Sequence, residues 1–489
     1  MISRTTQSLL AAVGVLALAV GIAELHPPTG QAAAPGATVR TAVQHSSLVC
    51  PPPLQSLTGA TVYSLAVPGA QSGAAAASGT AALGALPVAA GTAVPAPLAK
   101  QATVGGATTA KAATGDKAAA LAGTADGATA PGFTVQQTTT GPGNVLSGTA
   151  CTASGTEFWF AGGDSNKGSA DYLELTNVEA NAADVGIQVF GPGGEIDNPT
   201  ATSVSVPAGG TSSLLLSTLL SPGNDNVALT VHVQVRSGRV AAALHASSAG
   251  TAGADWVPST TPASSQVIPG LPGDLTGATL VLEVPGANDA DLKVQLASQN
   301  GWLTPAGHET VHAKSGQVTM VDLGALTHGV PAAMRLVPTD PTQAAPFVAG
   351  IRILRGKVKT ATDSAYVAGG SPIGQRATVA GNSDTDTTLL LTAADSAAVV
   401  KVSEIGADGT PTTQNVSIQA GATVAVAPKG PAGTYAVTLE PVSGGPVYAA
   451  RMISRTSGGV PTFTVQQLTD DHSTVQIPRA LQNDSILMP

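Results

Sequence analysis

Four passages of short alternating segments recur along the chain, and this recurrence restricts the fold more than any other feature. The clearest passage runs from Cys151 to Pro258. There TEFWFAGG (156–163) turns into DYLELTN (171–177), followed by VGIQVF (185–190), TSVSVPA (202–208), ALTVHVQV (228–235), VAAALHA (240–246) and ADWVP (254–258). Apolar residues alternate with polar or small ones, and Gly, Pro, Asn or Asp bounds each run, which is the pattern of half-buried strands. No helix pattern of comparable clarity interrupts them.

Matching segments identify the repeat. Opening strands are SLVC, EFWFAGG, SQVIPGL (265–271) and ATVAGNS (377–383), and second strands are ATVYSLAV (60–67), DYLELTN, ATLVLEV (278–284) and TTLLLTA (387–393). Closing strands are read as GFTVQQT (132–138), ADWVP, SAYVAGG (364–370) and TFTVQQL (462–468), so that Phe133, Trp256, Tyr366 and Phe463 match. Consecutive hairpins bury one face of each strand, so two sheets must pack together. The predicted class is all-β, as tandem immunoglobulin-like β-sandwich units, with a β-propeller-like ring as the alternative. The units are 46–140, degenerate and carrying an Ala/Gly-rich tract over about 69–132, then 141–260, 261–370 and 371–470. Residues 471–489 form a tail whose STVQIP (473–478) adds an edge strand to an earlier unit.

Length and composition agree. A chain of 489 residues exceeds the roughly 100–200 of one domain. Charged residues are 10% and aromatics 3%, while Gly numbers 57 and Pro 35, a balance that favours strands and turns over charged amphipathic helices. A net charge of −9 without a basic stripe excludes a nucleic-acid partner.

Before the first unit, Arg4 precedes the apolar run SLLAAVGVLALAVGIAEL (8–25). Residues 1–32 read as an export signal cleaved after Ala32, or as a membrane anchor of nearly sufficient length, and 33–45 as a Pro/Gly/Ala-rich linker. Both outcomes place the remainder outside the cytoplasm, secreted or anchored. Two cysteines suit that compartment. A Cys50–Cys151 bridge would close a loop of about 100 residues, worth roughly 4–5 kcal/mol by chain entropy. Two unrelated buried thiols are the alternative.

The segment EFWFAGGDSNKGSADYLELTN, with GIQVFGPGG, SVSVPAGG and GADWVP, resembles an uncharacterised family of exported actinobacterial proteins known as a domain of unknown function. LVCPPP and CTASGTEFWFAGG are similar to that family's paired-cysteine pattern. The resemblance implies an extracytoplasmic β-rich protein and brings no catalytic residues. Where such families often carry Asn-Pro after the second strand, this chain has Thr176-Asn177-Val178.

Several motifs invite a chemical reading. His308, Glu309 and His312 spell the H-E-x-x-H of zinc peptidases, which needs a helix to bring both imidazoles to one metal. Gly307 before it and Ser315-Gly316 after it point instead to a strand, on which the two histidines stand roughly 13 Å apart. Gly163-Asp164-Ser165 lacks a downstream base and reads as a turn. Asn382, Asp384 and Asp386 alternate as calcium ligands do, but without the turn Gly and distal Glu of an EF-hand. Trp302, beside the Asn300-Gly301 hairpin tip, is the candidate ligand contact, while Trp159 and Trp256 read as packing residues.

The expectation is a non-enzymatic exported envelope protein, serving structural, adhesive or scaffolding contacts with an envelope protein or polysaccharide. No catalytic residue, metal or cofactor is assigned, and membrane contact is restricted to an uncleaved N-terminus. Carbohydrate binding through Trp302 is the alternative, and metal-dependent hydrolysis at His308 and His312 a third.

Overall fold

The computed structural model describes residues 38–53, 59–71, 78–87, 95–112, 118–141, 145–197, 200–220, 228–247, 253–357, 361–406, 409–431, 433–457 and 460–478. The export signal or anchor expected at 1–32 lies outside them. The fold is all-β, and among the described residues only the short turns Gly127–Thr129, Leu216–Leu219 and Pro341–Gln343 are helical. No helix among these residues is long and apolar enough to cross a membrane.

Two units separate: Met1–Thr41 with Gln476–Pro489, and Ala42–Val475. Thr38–Ala42 pairs with Thr474–Pro478 in a two-stranded sheet. The predicted linker over 33–45 therefore contains a strand, and the tail strand joins it and not one of the repeats. Local composition hides such a pairing because the partner lies at the other end of the chain.

Within Ala42–Val475 four modules share one topology. In the second module the eight strands are Glu157–Ala161, Tyr172–Thr176, Ala183–Gly191, a divided fourth (Gly194–Glu195 and Val204–Val206), Thr211–Leu215, Thr230–Ser237, Ala241–Ser247 and Ala254–Val257. One sheet has the order first, sixth, third, fourth, and the other fifth, second, seventh, eighth, all antiparallel; both orders recur in every module. In the immunoglobulin arrangement the first strand pairs with the second. Here the first pairs with the sixth, because the chain changes sheets directly after it. Gly270 and Gly381, at φ +99° and +78°, sit in register breaks at the ends of two first strands, where the left-handed backbone suits glycine.

Alternation places the core. In the second module Leu173 and Leu175, Val185, Ile187 and Val189, Val231 and Val233, and Ala242 and Leu244 turn inward from four strands into one buried cluster. Equivalent clusters fill the third, fourth and first modules. Cys50 and Cys151 form a disulfide at the edge of the first.

Opening and second strands match the repeat read from sequence. The closing strand of the first module does not. Thr134–Gly141, carrying one FTVQQ copy, is a seventh strand, whereas Val460–Leu468, carrying the other, is an eighth. The true eighth strand of the first module is Val145–Ala150, paired with Thr134–Gly141, so that module extends past residue 140. Seventh and eighth strands are hydrogen-bonded neighbours with similar burial, so one pentapeptide serves either place.

The modules close into a ring. The eighth strands (Val145–Ala150, Ala254–Val257, Ala361–Ala368 and Val460–Leu468) each pack on the two adjacent ones, the last on the first. First strands of the second, third and fourth modules pack on the seventh strand of the module that follows, the fourth on Thr134–Gly141 of the first. The architecture thus combines two-sheet modules with a ring.

Candidate functional site

Carboxylates join the eighth strands where no backbone ladder does. Asp255 Oδ1 accepts from the Ser147 hydroxyl at 3.0 Å, the Gly148 N–H at 3.0 Å and the Trp256 N–H at 2.9 Å, tying the second module to the first. Asp363 accepts from Ser364 N–H at 3.0 Å and Phe463 N–H at 2.7 Å, tying the third to the fourth. Burial drives the Asp255 carboxyl well above the usual carboxylate range, and Asp363 nearby adds to the rise. Desolvation raises Asp363 to about 7. These acids are occupied in holding strands together.

Three seams between modules are filled by apolar side chains. Trp159, Ala161, Phe190 and Ala228 meet Val281, Val318 and Val348 between the second and third modules, with Trp159 stacked on His232 at 3.7 Å between centroids. Val267, Ala297 and Ala333 meet Ala394 between the third and fourth, flanked by Trp302 and Tyr448. Ala380 and Ala436 meet Ala66 between the fourth and first.

The seam between first and second modules differs. No comparable packing of His45–Cys50 on the second module occurs among the described residues. A cavity of about 170 Å³ lies there, lined by Val49 and Thr149 of the first module, Glu174, Thr176 and Trp256 of the second, and Gln466 of the fourth, among others. Strand alternation explains Glu174. Leu173 and Leu175 enter the core, so Tyr172, Glu174 and Thr176 face outward across the seam. Ladder positions equate Glu174, paired with Ala243, to Ser64, Val281 and Leu390, paired with Gln136, Gly350 and Ala450. Only at the open seam is that position ionisable. Burial raises the Glu174 carboxyl above its ordinary range, while the Ser213 hydroxyl donates to it and pulls it back.

Trp256 and Gln466 are 4% and 5% exposed, and neither Trp256 Nε1 nor Gln466 Nε2 has a hydrogen-bond partner among the described residues. The Gln466 amide orientation follows from Arg451, which can only donate and takes Oε1. Glu174 is the one ionisable side chain lining the cavity among those residues, and Lys, Arg and His are not among its walls. Apart from that carboxyl its polar side chains are hydroxyls and amides. Proton transfer through a paired acid and base has only this one carboxyl to use.

The residues singled out from sequence fall elsewhere. Trp302 is half-buried, not a free tip: its ring lies over Gly421 of the fourth module, where a Cβ would come within 2.4 Å of Cδ1, and the Arg335 guanidinium sits 5.3 Å from its centroid. Thr310–Ala313 is a strand, with His308 in the turn before it and His312 exposed, its Nδ1 2.8 Å from Asp291. Asn382 is buried, donating to Val379 and Tyr435 carbonyls, and Asp386 pairs with Arg455 at 2.8 Å. Asp164 N–H donates to Asp171 at 2.6 Å in the loop after Gly163. Trp159 and Trp256 are buried as read, but at seams and not in module cores. Glu174 was missed because its strand reads as any half-buried strand. Its ionisable group at a position that is Ser, Val or Leu in the other repeats was the available signal.

No curated protein matches the chain. The model of a family of unknown function, DUF5719, matches residues 109–429, from within the first module into the fourth. That span exceeds half of the 489 residues, and the chain belongs to this family of unknown function.

Proposed function

We propose that the protein is a non-enzymatic scaffold of the cell envelope, outside the cytoplasm, whose tandem β-sandwiches form a ring that holds contact surfaces at fixed positions. The observation that carries this reading is the use of the buried polar groups. Asp255, Asp363 and Arg376 spend their hydrogen bonds on joining modules. The Cys50–Cys151 disulfide is consistent with an oxidising compartment. Partners meet the perimeter, where the strand Pro411–Ile418 exposes Thr412, Thr413, Gln414 and Asn415 and, among the described residues, offers a sheet edge without a neighbouring strand to an incoming one.

Photo-crosslinking residues placed at Thr413 and Asn415 in living cells test the reading, together with maleimide labelling of Cys50 and Cys151. Expected are discrete crosslinked species from the envelope fraction and cysteines that label only after reduction. A cytoplasmic protein with free thiols, or one that yields no crosslink above background at either position, would end this reading.

A further inference from the structure

We infer that the edge strand Pro411–Ile418 pairs with the same strand of a second copy of this chain, antiparallel about a two-fold axis, so that two molecules join through one continuous sheet. The inference rests on the scaffold reading, and gives the contact edge named there its occupant.

The fourth strand ends the first sheet of every module, and in three of them it is cut short. It is Ala99–Gln101 in the first module, Gly194–Glu195 and Val204–Val206 in the second, and Gly301–Leu303 and Thr310–Ala313 in the third. Each also carries a titratable side chain: Lys100, Glu195 and His312. Short, interrupted and charged edges keep the sheets of a monomer from pairing with other chains. Pro411–Ile418 lacks these devices. Its eight residues, PTTQNVSI, carry no charge, its one proline stands at the first position, and it pairs with Ala398–Ile405 without a register shift. Six of the eight are exposed, and among the described residues no strand lies on its far side. The turn before it is braced, since a Cβ on Gly409 would stand 3.5 Å from the Gly105 carbonyl oxygen of the first module. An edge held straight in advance loses little freedom on pairing.

Charge and parity point to a second copy. With a net charge of −9 two copies repel, and least where neither is charged. This edge is such a place. The adjacent strand's Lys401 is paired with Glu440 at 2.7 Å, and its Glu404 accepts from Gln414 Nε2 at 3.2 Å. A foreign strand chosen by charge would find nothing on the edge to read. Opposed residues of an antiparallel pair point to the same face, so a two-fold axis perpendicular to the sheet sets one residue opposite itself. Overlap is longest with Gln414 or Asn415 on the axis. The first register opposes Thr413 to Asn415, and the second opposes Thr413 to Ser417 and Gln414 to Val416. Neither creates a like-charge pair. Because the other fourth strands are blunted, association closes at two copies.

Sedimentation equilibrium on the full chain with its disulfide intact, at concentrations up to about 0.5 mM, tests this. Expected is a monomer–dimer equilibrium. Thr413→Glu combined with Asn415→Glu places like charges across the axis in either register, at exposed positions, and is expected to weaken the dimer at least about tenfold. Its thermal melting should stay cooperative. Single cysteines give a reading that does not depend on that variant. Under mild oxidation either Gln414→Cys or Asn415→Cys forms a covalent dimer, whereas Thr413→Cys, which opposes a different residue in both registers, does not. A monomer throughout the concentration range, a dimer unmoved by the two glutamates, or no covalent dimer from either axial cysteine overturns the proposal. In living cells, crosslinks from Thr413 or Asn415 to a different protein, by a chain that sediments as a monomer, end this proposal alone; no crosslink at all ends the scaffold reading with it.

Discussion

Asp363 Oδ2 accepts the Phe463 backbone N–H at 2.7 Å, so a single carboxyl joins the closing strands of the third and fourth modules. Desolvation raises this carboxyl to about 7, as it does Asp171 and Glu283. In the unfolded chain these acids titrate near about 4. Between about pH 4 and 7 the unfolded state releases protons that the folded state keeps, so stability falls as pH rises through that window and levels off above it. His245, buried and lowered to about 3, acts oppositely below about 6.5.

Urea denaturation at intervals from pH 4.5 to pH 8 separates these contributions through the difference between parent and Asp363→Asn. The amide turns an N–H toward one of two backbone donors, so Asp363→Asn is less stable at every pH, by about 1–3 kcal/mol at the acidic end. The gap narrows toward pH 8 as the parent loses the stability of its protonated carboxyl. A gap constant across the range would show that Asp363 keeps an ordinary acidity.

Cys50 and Cys151 are 101 residues apart, and their bridge spans the first and last strands of the first module. Chain entropy assigns such a loop about 4.7 kcal/mol, less any strain. Among the described residues the first module also has the smallest of the four core clusters, with Tyr63, Leu65, Leu83 and Phe133 packed among alanines, Val67 and Val135. Cys50→Ala with Cys151→Ala is expected to make this module the first to be cut by protease, while 266–475 stays intact. Equal cutting along the chain would mean that the bridge supports the whole ring.

The extent to which sequence revealed this architecture depends on what each feature requires. Alternation in DYLELTN or TTLLLTA is imposed by one strand lying between core and surface, so those second strands were legible directly. Assigning the two FTVQQ copies needed knowledge of neighbouring hairpins, and the resemblance misled. VLSGTA, the true closing strand of the first module, carries little apolar signal because its Ser147 and Gly148 face Asp255 rather than a hydrophobic core. The cavity was less legible still, since it lies at a seam where two modules meet through their eighth strands and not through an apolar cluster like those at the other seams. Glu174 is the visible trace of it. The bridge of Cys50 to Cys151 was read from compartment and count, which need no geometry.

Small residues set how closely the sheets approach at the filled seams. At Gly350 an added Cβ would lie 2.0 Å from the Ala161 carbonyl oxygen across the seam between second and third modules. Backbone on both sides leaves little room to yield, so Gly350→Ala is expected to destabilise by about 1–3 kcal/mol, the range for overpacking. Gly193 meets nothing within 4 Å, and Gly193→Ala should be neutral within about 0.5 kcal/mol. Thermal melting of the two variants side by side checks the contrast. Equal melting points would mean that the sheets at this seam are not in contact in solution.

Closure between fourth and first modules depends on one buried arginine. Arg376 Nε donates to Asp471 Oδ2 at 2.5 Å, and its Nη2 reaches the Gly69 carbonyl of the first module at 2.9 Å. Asp471 also accepts from the Thr378 hydroxyl at 2.7 Å, and both charged side chains are under 5% exposed. Gly132, at φ +74°, leaves the space that Nη2 occupies: a Cβ there would stand 2.2 Å from it. Removing one member of such a pair strands the other charge in a poor solvent. Arg376→Met is therefore expected to cost about 3–5 kcal/mol, whereas Arg376→Met combined with Asp471→Leu, which removes both charges, costs less than the single change. Hydrogen exchange locates the effect. Amides of Ala60–Val67 and Thr134–Gly141, which pack against the fourth module, should lose protection before those of Leu275–Glu283, which face a seam the latch does not touch. Loss of protection that begins at Leu275–Glu283, or a double variant weaker than Arg376→Met, would place the ring's closure somewhere other than this pair.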